Sequence, residues 1–129
     1  MRIMITGAGG FMGRNLCEVL RECRPEDRLD LIDLATTREA LESAAAEADF
    51  VFHLAGVNRP RDPDEFMRGN GDFTLELTAL LERGKRPPVV LASSIQAALD
   101  NPYGASKRAA EDAVAAYARR CETRAYLYR

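Results

Sequence analysis

Apolar positions along this chain follow two rhythms: short unbroken runs, and longer segments that repeat every three or four residues. Ile3-Met4-Ile5 is a run too short for anything but a strand. From about Gly10 to Glu22, Met12, Leu16, Val19, Leu20 and Cys23 share one stripe at helical spacing. Pro25 and its charged neighbours make a turn, and Arg28 to Leu34 forms a second strand through Leu29, Leu31 and Ile32. Thr36, with Glu39 three residues on, has the pattern of a capping box and opens a helix to Ala48. Asp49 to Gly56 is the next buried strand with its exit turn.

Asp62-Pro63-Asp64-Glu65 supplies a capping acid, a proline in the first helical position and acid in the first turn. Phe66, Phe73, Leu77 and Leu80 carry that helix's apolar face, with Gly69 and Gly71 loosening its middle. Pro87-Pro88 leads into strand Val89–Ala92, Tyr103 opens an alanine-rich helix to about Cys121, and Ala125–Tyr128 is a last strand. Strands alternating with helices predict an α/β fold with a parallel, doubly wound sheet, in one domain over residues 1–129.

With 47% hydrophobic and 29% charged residues, the composition predicts a globular, soluble domain rather than a disordered one. A net charge of −2 without a basic block argues against nucleic acid and anionic membranes as partners. No apolar stretch approaches the roughly 20 residues of a membrane helix. Cys17, Cys23 and Cys121 are odd in number and lack Cys-x-x-Cys spacing. They read as reduced packing residues of a cytoplasmic protein, with no metal site.

Two sites carry chemistry. Gly7, Gly10 and Gly13 follow a Gly-x-x-Gly-x-x-Gly spacing between the first strand and the first helix. There Gly7 allows the tight turn, Gly10 lets the backbone approach a pyrophosphate, and Gly13 lets the helix pack close to the sheet. This predicts dinucleotide binding. In the second site, Tyr103 and Lys107 lie four apart on one helix face, where the ammonium favours the phenolate and makes a proton donor that works near neutral pH. Ser93-Ser94 ends the preceding strand, at the sheet edge where open α/β sheets bind ligands.

Gly7-x-x-Gly10-x-x-Gly13, His53-Leu54-Ala55-Gly56, Ser93-Ser94 and Tyr103-x-x-x-Lys107, in this order, resemble the extended short-chain dehydrogenase/reductase family of nucleotide-sugar epimerases, dehydratases and reductases. The resemblance implies a Rossmann-type, three-layer αβα fold and a catalytic set of Ser94, Tyr103 and Lys107, with Asn70 in support. Tyr103 is then the acid/base, Lys107 holds the cofactor ribose and lowers the tyrosine pKa, and Ser94 orients the substrate carbonyl. The implied cofactor contacts are Gly7, Gly10, Phe11, Met12, Gly13, Asp33, Leu34, Leu54, Ala55, Gly56, Tyr103 and Lys107.

Phe52 to Pro60 and the segment Ser93-Ser94-Ile95-Gln96-Ala97 are similar to a narrower branch, the reductases of capsular-polysaccharide synthesis. That likeness implies NADPH as cofactor, with NAD the alternative, and a UDP-linked keto-deoxy-amino sugar as substrate, touched by Asn58, Arg59 and Ser94. It also leads one to expect that the chain is the amino-terminal part of a longer protein. Relatives pair through two helices corresponding to Pro63–Glu82 and Tyr103–Cys121, so a homodimer is expected.

Asp33 has two readings. It lies twenty residues past Gly13, the distance at which an acid bonds a ribose 2′-hydroxyl and selects NAD. If its strand is instead the family's third, Asp33 faces the adenine, and the likeness to an NADPH-using branch favours that placement. Arg14 or Arg38 could then meet a 2′-phosphate. His53 reads as packing or contact along the cofactor edge rather than as an acid/base. An epimerase or dehydratase, and a non-catalytic NAD(P)-binding module, stand as the rival functions.

Overall fold

Residues 1–129 are all described by a computed structural model. Five strands form one parallel sheet: β1 (Arg2–Thr6), β2 (Arg28–Ile32), β3 (Phe50–His53), β4 (Val89–Ala92) and β5 (Ala125–Tyr128), in the order β2-β1-β3-β4-β5. The order reverses direction at β1, which opens a crevice at the carboxyl edge between β1 and β3.

The connecting helices are α1 (Phe11–Cys23), α2 (Arg38–Glu47), the short α3 (Asp64–Phe66), α4 (Phe73–Arg83) and α5 (Pro102–Cys121). Between α3 and α4 the chain makes a π-helical turn, Met67–Asp72, and Ile95–Ala98 is a 3₁₀ turn before α5. The larger core lies on one sheet face, where Met4, Val51, Val89 and Leu91 meet Leu41 of α2, Leu77 and Leu81 of α4, and Val114 and Tyr117 of α5. On the opposite face Ile3 and Ile5 pack against Cys17 and Leu20 of α1. The layers are therefore αβα, with one helix on one side and three on the other.

Several local details differ from the sequence reading. The buried stripe of α1 is Gly13, Cys17 and Leu20, whereas Met12 and Val19 are exposed. The cause is the close approach at Gly13, where a side chain would collide with the Gly7 carbonyl and with Ala8. The helix touches the sheet there, so the stripe runs from residue 13 rather than residue 12. Cys23 is exposed and does not pack, unlike buried Cys17. Helix α2 is capped by Thr37, whose hydroxyl accepts from Ala40 N at 3.2 Å; Thr36 instead accepts from the Asp33 amide at 2.9 Å. Asp62 does cap its helix, its carboxylate accepting from Glu65 N at 3.1 Å.

Candidate functional site

The glycine-rich turn is built on β1. Gly7 has φ +70°, a left-handed conformation that side chains resist, and a Cβ there would lie 2.7 Å from Ala55 N. Its amide bonds the Ile32 carbonyl at 2.9 Å, so the turn closes onto the end of β2. Gly10 then serves as the N-cap of α1 with no side chain over the helix's free amides.

A cleft of about 630 Å³ opens above this turn, and Gly7, Gly10, Asp33, Leu34, Leu54, Ala55 and Gly56 line it as the sequence implied. The expected contacts Phe11, Met12, Gly13, Tyr103 and Lys107 do not. Gly13 is buried on the sheet-facing side of α1, and Phe11 (85% exposed) and Met12 (54%) project to solvent. Thr6, Val57, Arg68 and Phe73 also line the cleft and were missed. Thr6 had a signal, because alternation along β1 puts it on the face opposite Ile5. Arg68 and Phe73 had none, since the π-turn that presents them leaves no mark in the apolar pattern.

Strand β2 pairs directly with β1, Thr6 opposite Ile32. This goes against the reading of β2 as the family's third strand, with Asp33 facing the adenine. Asp33 therefore leaves the sheet beside the glycine turn, where its carboxylate occupies the space a Gly9 side chain would need and accepts from the Leu34 amide at 2.9 Å. Arg38 bonds Glu42 at 2.7 Å and also pairs with Glu76 across to α4, and Arg14 is exposed on α1.

The second half of the site lies at the ends of β3 and β4. Lys107 is 6% exposed, and its ammonium donates to the Ala92 carbonyl at 3.0 Å, one residue before Ser93. It stands 6.0 Å from the centre of the Tyr103 ring, which packs on Phe66 with centroids 5.3 Å apart. Burial lowers the Lys107 pKa from its ordinary value, and Glu111 one turn further along α5 opposes the shift. Ser93 donates to Glu111, which also pairs with Arg129 at 2.7 Å. Ser94, in contrast, only accepts, from the Gln96 amide at 3.2 Å, and keeps its hydroxyl proton free.

Gly56 joins the two halves. It lines the cleft, and a Cβ on it would stand 2.8 Å from Asn70 Oδ1 and 3.1 Å from Lys107 Nζ. Asn70, 2% exposed, accepts from Val57 N at 2.8 Å and donates to Val57 O and Ser106 Oγ, each at 3.0 Å. Its side chain therefore holds the loop after β3 against α5. Asn58 and Arg59 are exposed in that same loop. His53 is fully buried, between Thr6 Oγ1 at 2.6 Å and Thr74 Oγ1 at 2.8 Å. Burial, and secondarily the Lys107 charge, push its pKa down to about 3, so the ring is neutral and is no acid/base at working pH.

Comparison with known proteins agrees with this layout. The chain is 46% identical over 117 residues to the UDP-2-acetamido-2,6-beta-L-arabino-hexul-4-ose reductase of Pseudomonas aeruginosa, covering 87% of this chain and 30% of that protein. It is 36% identical over 135 residues to a ceramide reductase of Caulobacter vibrioides, covering 88% and 42%. Among solved structures, the capsular polysaccharide assembling protein CapF of Staphylococcus aureus superposes with a TM-score of 0.86 at 42% identity, over all of this chain and 35% of that one. An Agrobacterium tumefaciens short-chain dehydrogenase/reductase superfamily protein with bound NAD shares the fold, with a TM-score of 0.85 at 22% identity over 98% and 48%. The chain thus spans under half the length of each of these proteins. With a family model matching residues 3–129, it belongs to the NAD dependent epimerase/dehydratase family.

Proposed function

We propose that this chain forms the cofactor-binding and proton-transfer part of an NAD(P)H-dependent reductase. Its substrate is the keto group of a UDP-linked deoxy-amino sugar, in the supply of surface-polysaccharide precursors in the cytoplasm. The observation that carries this reading is the joint at Gly56, which lines the glycine-turn cleft and has Lys107 and Asn70 directly behind it, the cleft of about 630 Å³ being of the size of a cofactor site. The 46% identity to a UDP-keto-sugar reductase supports the substrate class.

When bound, the nicotinamide supplies the hydride. Tyr103 donates the proton to the carbonyl oxygen, and Ser94, whose proton is free, donates a hydrogen bond to the same oxygen. Lys107, held by the Ala92 carbonyl, favours the tyrosinate left behind and presents its remaining donors to the cofactor ribose. Asn58 and Arg59 meet the nucleotide-sugar from the loop that Asn70 fixes.

On the 2′ group of the cofactor, the placement of Asp33 beside the glycine turn supports NADH rather than the NADPH that the sequence likeness implied. A 2′-phosphate would stand against this carboxylate, and Arg38 is already paired with two glutamates. A homodimer built on α4 and α5 remains part of the proposal. Leu75 is 60% exposed on α4, and Ala109, Ala113 and Ala116 leave α5 smooth enough for close approach.

Titrating NADH and NADPH separately, and following nicotinamide fluorescence, tests the reading. Saturable binding that is tighter for NADH is expected, and no binding of either dinucleotide overturns it. In the full-length enzyme, net NADH oxidation with a UDP-linked keto sugar is expected. Retained cofactor without net oxidation would make it an epimerase, and oxidation with only a ketoceramide would make the substrate a lipid.

A further inference from the structure

His53 has no part in the chemistry above, yet it is the centre of a fully satisfied buried network. The proton positions follow from which atoms only accept. Thr74 Oγ1 donates to the Asn70 carbonyl at 2.5 Å, so it receives from His53, and the imidazole proton sits on Nε2. Thr6 Oγ1 receives the Ala55 amide at 3.2 Å and gives its own proton to His53 Nδ1. Beyond Asn70, its side-chain amide donates to Ser106 Oγ, which donates to the Tyr103 carbonyl at 2.7 Å.

One chain of hydrogen bonds, pointing one way through the ring, therefore runs from the wall of the cleft at Ala55 to Asn70. The Asn70 side chain continues the connection to the first turn of the helix that carries Tyr103. We propose that His53 is a positioning residue whose Nε2–H tautomer sets the register between the cofactor loop, residues 54–57, and the Tyr103 end of α5. A doubly protonated ring would leave Thr6 with no acceptor for its proton and would face Lys107, the one charged group that acts on it. An Nδ1–H ring would leave the Thr6 hydroxyl proton without its acceptor and would set an unprotonated Nε2 against Thr74, whose one proton already goes to the Asn70 carbonyl. Only one state of the ring satisfies every partner.

This inference rests on the dinucleotide reading of the cleft, and its test separates the two. The chain has a single histidine, so long-range ¹H–¹⁵N correlation spectra report its tautomer without assignment ambiguity. The wild-type ring is expected as Nε2–H, unchanged from pH 5 to 8. Thr74→Val keeps the side-chain shape and removes the acceptor; it is expected to lose that tautomer signature, move the Ala55 amide resonance and weaken NADH binding about tenfold. Thr74→Ser restores the hydroxyl and is expected to restore all three to within about twofold of wild type. An Nδ1–H ring in the wild type overturns the proposal, as does a Thr74→Val protein that binds NADH as the Thr74→Ser protein does. If the wild type binds no dinucleotide, the cofactor reading falls, and the wild-type tautomer with the Ala55 shift then decides on the network alone.

Discussion

Tyr103→Phe in the full-length enzyme is expected to keep cofactor affinity and lower turnover by about a hundredfold or more, the span of a positioned general acid. The ring's packing explains why binding survives. Its contact is with Phe66, the two rings tilted by 60° with centroids 5.3 Å apart. Phenylalanine keeps that contact and removes only the acid. Lys107→Met is expected to do more, because the ammonium is buried, anchored on Ala92 and placed against Gly56 in the cleft wall. Loss of the charge takes away what favours the tyrosinate, and loss of the donors takes away the ribose contact. Turnover and cofactor affinity are expected to fall together. Steady-state kinetics with a dinucleotide titration on each variant checks both. Full turnover in Tyr103→Phe would return the pair to ordinary neighbours on a helix.

What the sequence revealed of this site depended on how local the physics was. Strands β4 and β5 are short apolar runs between turn signals, and they stand where the pattern put them, at Val89–Ala92 and Ala125–Tyr128. Tyr103 and Lys107 share a face because four residues make about one turn of any α-helix. Sheet order is different, because it is settled by pairing between distant segments. Nothing between Arg28 and Leu34 says whether β2 joins β1 or stands further out, and on that choice hangs the partner of Asp33.

The one-residue error in the α1 stripe has the same origin. Helical spacing is satisfied from Met12 or from Gly13, and only contact with Gly7 and Ala8 selects the latter. The π-turn at Met67–Asp72 is the most distant from sequence. Gly69 and Gly71 mark weakness in a helix, but the widened turn forms because it lets Asn70 reach Val57 on one side and Ser106 on the other. Thr6, His53 and Thr74 each look like an ordinary strand or helix residue, and their network exists only once β1, β3 and α4 are packed.

The same network gives the protein an acid sensitivity that can be traced to one residue. His53 has a pKa of about 3 in the folded state, chiefly through burial, against the ordinary value of 6.5 in the unfolded chain. Below pH 6.5 the unfolded chain takes up a proton that the folded one refuses, so folding stability falls as pH falls, by about 1.4 kcal/mol per unit until the folded value is reached. Carboxylates held below their usual range, among them Asp49 and Glu82, add to acid unfolding only where their unfolded forms protonate, near pH 4. Between pH 6.5 and 5 the chain's one histidine therefore supplies most of the change. Urea unfolding at pH 7 and pH 5 is expected to differ by about 2 kcal/mol, a large share of a small domain's stability. His53→Gln is expected to be less stable at pH 7, but it carries no imidazole to protonate, and its stability is expected to be nearly flat across this window. Equal stability of the wild type at the two pH values, or the same slope in His53→Gln, would remove His53 from the account of acid unfolding.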